Sequence, residues 1–189
     1  GLWALETACR QLVHWQQDAR TRHLQIAVNV SPRQFRQADF VDQIRRALLT
    51  TGADPSRLKL ELTESLVLEN VEETIAKMQT LQSLGISFAM DDFGTGYSSL
   101  SYLAQLPLQQ LKIDRSFVHN LSGQRNDETI TRTIITMGQG LGMEVIAEGV
   151  ETEAQLAFLR TYGCGLYQGH YFSEPLTPDN LQSWLAARL

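Results

Sequence analysis

What most constrains this chain is an alternation. Short runs rich in apolar and β-branched residues are separated by stretches whose apolar residues recur at helical spacing. The runs are His23–Asn29, Leu58–Thr63, Ile86–Asp91, Leu108–Asp114, Met143–Glu148 and Leu166–Gly169. Between them, Leu2, Leu5, Cys9, Leu12 and Val13 form one helix face, and Phe40, Val41, Ile44, Leu48 and Leu49 another. Asp39 is a candidate N-cap for the second of these, and Gly52 lies just past its end. Thr152 and Gln155 have capping-box spacing, as do Asn70 and Glu73. Thr177-Pro178 sets an N-cap before a Pro at the first helical position. Such repetition predicts parallel strands joined by helices. No G-x-G-x-x-G follows the first run, which weakens a dinucleotide-binding sheet. The polar residues Asn29, Glu61, Asp91, Asp92, Lys112, Glu148 and Gln168 sit at or near the C-terminal ends of the runs. That placement favours a TIM-like (β/α)8 barrel, where those ends converge on one mouth.

A barrel of this kind takes about 250 residues. The chain has 189 and opens inside a helix at Gly1-Leu2. The expectation is a barrel lacking its first strands, occupying residues 1–189 as one domain. With 16 basic and 21 acidic residues the formal charge is −5, which argues against binding a nucleic-acid polymer. No apolar run reaches the ~18 residues of a membrane span. Two distant cysteines, Cys9 and Cys164, suggest free thiols in a reducing compartment, hence a cytoplasmic location. A parent protein anchored in the inner membrane is compatible with that.

Glu61, Asp91, Asp92 and Glu148 would bring four carboxylates to one mouth, with Asn29 adding a neutral oxygen. Left alone they would raise one another's pKa, and divalent cations resolve the conflict. All candidate ligands are hard oxygens, which favours Mg²⁺ or Mn²⁺. His14, His23, His119 and His170 lack zinc-site spacing. A bend at the end of its run would let adjacent Asp91 and Asp92 serve two ions. Two ions ~3.5–4 Å apart suit in-line attack on a phosphodiester. Lys112 would hold the water or a phosphate oxygen. Any one of these carboxylates alone reads as an ordinary cap or solvated residue; the set is harder to explain so, since buried charge is costly unless compensated. Asp92-Phe93-Gly94 is like the metal-binding triplet of kinases, but none of the other kinase motifs accompanies it.

The same residues fall in ordered motifs. Asn29-Val30-Ser31, Glu61-Leu62-Thr63-Glu64, Asp91 through Leu100 (DDFGTGYSSL), Leu111-Lys112-Ile113-Asp114, Ala147 through Thr152 (AEGVET) and Gln168-Gly169 through Pro175 occur in that order. In these the chain resembles the EAL domain, a bacterial module that hydrolyses cyclic di-GMP to linear pGpG. The resemblance implies an EAL-type barrel with Asn29, Glu61, Asp91, Asp92 and Glu148 as metal ligands. It implies that Lys112 orients the attacking water, with Glu148 and Gln168 at the same site. It gives Glu64 the task of steadying the loop after Asp92. It places Asp114 and Glu151 at the metal and substrate pocket. It also implies a homodimer through the barrel near Phe93–Ser101, and a sensor or GGDEF domain upstream.

The family's Glu-Ala-Leu segment, whose glutamate is a metal ligand, is absent from these residues. Taken by themselves they are therefore expected to be inactive, while a parent protein carrying that segment hydrolyses cyclic di-GMP. The other functional reading is a catalytically inactive domain that binds cyclic di-GMP as a receptor or acts as an interaction module. Smaller departures from the family pattern are His170 for a Tyr, Gly165 for an Asp and Gln109 for an Asp.

Overall fold

The computed structural model describes residues 1–96, 100–121 and 125–187, with the side chains of residues 67–69 excepted. Its elements run α1 (Leu2–Trp15), β1 (Ile26–Val30), α2 (Pro32–Phe35), α3 (Phe40–Thr51), β2 (Leu58–Thr63), α4 (Glu64–Glu69), α5 (Val71–Gln82) and β3 (Ser87–Phe93). They continue with α6 (Leu100–Leu103), β4 (Gln110–Ile113), α7 (Arg115–His119), α8 (Arg125–Gly140), β5 (Glu144–Glu148), α9 (Glu153–Thr161), β6 (Leu166–Gln168) and α10 (Pro178–Ala186). All six predicted strands are present. The hydrogen-bonded order is β1-β2-β3-β4-β5-β6. A doubly wound sheet reverses its strand order at a switch point; an order that follows the chain without reversal is that of the TIM-like (β/α) barrel.

By internal contacts the chain divides into two compact units. The first comprises Gly1–Leu62, Glu72–Phe88 and Leu176–Leu189. Here β1 and β2 pair in parallel, with Asn29 opposite Glu61. Along β2 the side chains of Leu58, Leu60 and Leu62 are fully buried on one face, and Lys59 and Glu61 are buried on the other. Both faces of a parallel strand are covered in this architecture, so its sequence reads as near-continuous burial. Each of those leucines contributes about 1.5–3 kcal/mol on leaving water. Helix α1 buries Leu5, Ala8, Cys9, Leu12 and Trp15 and packs on α3 and β1. Phe35 and Phe40 meet at 5.4 Å.

The second unit comprises Thr63–Val71 and Ala89–Pro175. Its strands pair in parallel with Gln110 opposite Glu144 and Glu148 opposite Gln168. The outward residues Leu111, Ile113, Val145 and Ala147 are buried. Helix α8 closes on β4 and β5, and its Gly138 makes that approach possible. A Cβ there would stand 2.5 Å from Val145 Cγ2 and 3.3 Å from Leu111 Cδ2.

Local signals mostly match. Gly52 ends α3 in the left-handed region at φ 75°. Thr152 and Gln155 complete a capping box, and Thr177 caps α10. Asp39 differs: it stands at the N-cap of α3, but at φ −95°, ψ 8° its side chain makes no capping bond.

Candidate active site

The second unit assembles a cationic centre ringed by carboxylates. Strand alternation puts Gln110 and Lys112 of β4 on one face, and both are buried. Lys112 Nζ lies 2.8 Å from Asp91 Oδ1 and 2.7 Å from Glu148 Oε1. Lys112 is only 5% exposed, so its charge and those of its partners are mutually dependent. Removing one member of a buried ion pair leaves the other uncompensated, at a cost of about 3–5 kcal/mol.

Strict alternation would send Asp91 and Asp92 to opposite faces. The pairing of β3 with β4 slips between Met90 and Phe93, and Asp92 adopts φ 53°. This bulge is the bend expected from the adjacent pair, and it re-aims the second carboxylate. Carboxylate oxygens of Asp91, Asp92 and Glu148 come within 4.8 Å of one another. Burial, and then the Asp91 and Asp114 charges, push the Asp92 carboxyl above its ordinary range. Asp114 is drawn the other way. Burial acts to raise it, but hydrogen bonds from the Ser116 hydroxyl and backbone N–H, helped by Asp92, outweigh burial and leave it lowered. Ser116 N–H donates to Asp114 Oδ1 over 2.9 Å, so Asp114 also caps α7.

Three converging carboxylates, one of them held above its ordinary range, form an all-oxygen set suited to a hard divalent cation. The donor chemistry therefore fits the expected metal.

The remaining candidates are distributed as follows. Glu64, at the start of α4, is 4% exposed. Its Oε2 accepts from Gly94 N–H at 3.4 Å, and its Oε1 has no hydrogen-bond partner among the described residues. A Cβ on Gly96 would stand 2.7 Å from that Oε1, so this carboxylate is packed under the loop after Asp92. Residues 97–99 of that loop lie outside the described residues. Gln168 sits level with Glu148 in the neighbouring strand. Glu151 is not in the acidic group: its Oε2 is 3.8 Å from His119 Nδ1, and its backbone N–H donates to Gln155. Asn29 and Glu61 stand together at the ends of β1 and β2 in the first unit. Ser116 is the participant that sequence reading missed, although Asp-x-Ser is a turn and cap signal.

The EAL domain family model matches residues 1–175. The bifunctional diguanylate cyclase/cyclic di-GMP phosphodiesterase MucR of Pseudomonas aeruginosa is 41% identical over 98% of this chain and 27% of its own length. The cyclic di-GMP phosphodiesterase NbdA of the same organism is 44% identical over 98% of this chain and 24% of its own. The chain thus spans about a quarter of the length of these curated relatives. Among solved structures, the MucR phosphodiesterase in complex with c-di-GMP superposes with a TM-score of 0.92 at 41% identity, covering 96% of this chain and 73% of that one. The EAL domain of Mycobacterium smegmatis DcpA gives 0.91 at 38% identity, covering 98% and 83%. Klebsiella pneumoniae BlrP1, solved with manganese and cyclic di-GMP and also with calcium and cyclic di-GMP, gives 0.81 at 28% identity, covering 94% and 44%. A family model matching residues 1–175, and relatives more than 40% identical across nearly the whole chain, show that this chain belongs to the EAL domain family.

Proposed function

We propose that this chain is the phosphodiesterase part of a signalling protein that hydrolyses cyclic di-GMP to linear pGpG. Water attacks one phosphodiester in line, and two divalent cations, Mg²⁺ or Mn²⁺, serve the site. The observation that carries the reading is Lys112 Nζ held between Asp91 and Glu148, with Asp92 completing a carboxylate cluster. Cyclic di-GMP phosphodiesterases among the relatives, and manganese in the BlrP1 structure, support it.

Asp91, Asp92 and Glu148, with Asn29 and Glu61, would hold the cations. Bound there, the cations supply Lewis acidity toward the phosphodiester. Lys112 orients the attacking water and, as a fixed positive charge, stabilises charge developing on the phosphate. Gln168, level with Glu148, orients the same water. Glu64 holds the loop after Asp92 through Gly94. Asp114 restrains the Asp92 carboxyl, and Asp114 and Glu151 border the substrate pocket.

Residues 1–189 are read as one EAL domain without its N-terminal strands. The longer relatives support a sensor or GGDEF domain upstream. The family resemblance supports a homodimer near Phe93–Ser101. Among the described residues no helix is long and apolar enough to cross a membrane, and the free buried thiols of Cys9 and Cys164 accord with a cytoplasmic location.

The test is turnover by the parent protein with Mn²⁺, following pGpG by chromatography. Glu148→Gln is expected to lower turnover at least a hundredfold. Undiminished turnover in that variant would overturn the site assignment. Tight cyclic di-GMP binding by the unaltered protein without any hydrolysis would favour the receptor reading instead.

A further inference from the structure

Of the clustered carboxylates, Asp92 is the one its strand holds least. The bulge takes it out of register with β4. Its backbone is fixed at φ 53°, and the Thr95 hydroxyl donates to its carbonyl over 2.9 Å. Neither contact sets the side-chain torsions. The carboxyl itself is hydrogen-bonded to that of Asp114, so whatever fixes Asp114 also orients Asp92.

Asp114 is fixed by two donors from one residue. The Ser116 backbone N–H reaches Asp114 Oδ1 over 2.9 Å, and the Ser116 hydroxyl donates to the same oxygen. A carboxylate is planar, so two donors converging on one oxygen set the direction in which the other points. The backbone bond alone is enough to cap α7. The hydroxyl bond is additional to that role.

The same pair of bonds recurs at Asp54-Pro55-Ser56 in the first unit. There the Ser56 N–H and hydroxyl meet Asp54 Oδ1 at 2.9 and 2.8 Å. The other oxygen of Asp54 lies 3.9 Å from Arg57 Nε. By itself the Asp-x-Ser arrangement is a turn. What sets Asp114 apart is its neighbour, a second carboxyl where Asp54 has an arginine.

We propose that Ser116 is a positioning residue of the hydrolytic site: its hydroxyl fixes the Asp114 carboxyl and, through it, turns the Asp92 carboxyl toward the divalent cation. This rests on the hydrolytic reading above. Ser56 supplies the internal control, because removing its hydroxyl breaks the same local bond in a turn that holds no metal ligand.

The experiment uses the parent protein with Ser116→Ala, Ser116→Thr and Ser56→Ala. Free Mn²⁺ is followed by electron paramagnetic resonance, and turnover of cyclic di-GMP is measured in parallel. Ser116→Ala keeps the backbone cap and sits at an exposed position, and circular dichroism checks its fold. It is expected to weaken Mn²⁺ about tenfold, the lower end of what the partners of metal-ligating groups contribute. Its kcat should fall with KM little changed. Ser116→Thr should restore both properties, and Ser56→Ala should leave both unaltered. Mn²⁺ affinity in Ser116→Ala equal to that in Ser56→Ala, or no recovery in Ser116→Thr, would overturn the proposal. The two readings fail separately. An unaltered protein that binds Mn²⁺ without hydrolysing cyclic di-GMP would overturn the hydrolysis, and the Mn²⁺ titration would still decide the role of Ser116.

Discussion

Asp92 shows how much of the site rests on one backbone conformation. A residue other than glycine at φ 53° is uncommon, and Asp and Asn are among the few that tolerate it. Substituting Asn keeps that tolerance and leaves an amide able to donate to Asp114, while removing the charge. The linkage is direct. The folded Asp92 carboxyl titrates above its unfolded value, so between the two the folded state holds more protons. Stability therefore falls as pH rises through that window. Asp114 is lowered and has the opposite sign, losing stability as pH falls below its ordinary range. In the metal-free chain, Asp92→Asn should remove the loss above the ordinary carboxylate range while keeping the acid-side loss due to Asp114. Urea midpoints measured across pH 3–7 would check this, and parallel profiles for the two proteins would contradict it. None of this could be read from Asp91-Asp92 as letters. Adjacency predicts a bend, but the left-handed residue and the slip in register are set by tertiary pairing.

At the scale of elements, periodicity found what periodicity can find. The strand Leu58–Thr63 was readable to the residue, because alternating leucines bury one face while Lys59 and Glu61 lie on the other. The long helices α1, α3, α8 and α9 each repeat an apolar face over two or more turns. The short helices α2, α4 and α7 run four to six residues and are too brief to show a period. Two of them rest instead on local bonds. Ser31 and Gln34 cap α2 reciprocally, and Asp114 caps α7. Gly138 is a different case, since nothing in the sequence says what a glycine inside a helix is facing. Its replacement by Ala gains about 1 kcal/mol of helix propensity. Against that, the new Cβ would press on Val145 at 2.5 Å, and overpacking of this kind costs about 1–3 kcal/mol. Val145 is held on β5 between its strand neighbours and has little room to give. Gly138→Ala is therefore expected to destabilise the chain by about 1 kcal/mol, read as a lower urea midpoint with an unchanged slope. A stabilised variant would mean that α8 can slide away from β5 at little cost.

For the molecule as a whole, charge decides how it can take its proposed substrate. The chain carries −5, and the ligand offers two phosphodiesters. Where the carboxylates of Asp91, Asp92 and Glu148 gather, the buried Lys112 ammonium is already shared between Asp91 and Glu148. Like charges at ~4 Å repel by several kcal/mol at the effective dielectric near a protein surface. Lys112 alone cannot both satisfy its two carboxylates and neutralise an incoming phosphate. Divalent cations held by Asp91, Asp92 and Glu148 would reverse the local field and convert the same cluster from a repulsive surface to an attractive one. Two measurable consequences are linked. Mn²⁺ should raise the melting temperature of the chain, because a ligand that binds only the folded state stabilises it by mass action. Cyclic di-GMP should bind at least tenfold more tightly with Mn²⁺ than in EDTA, measured by calorimetry on the parent protein. Glu148→Gln should diminish both effects together, since it removes one carboxylate from the cation's surroundings. Nucleotide affinity that is equal with and without the cation would show that the anion is held by groups outside this cluster, and the acidic mouth would then need a different role.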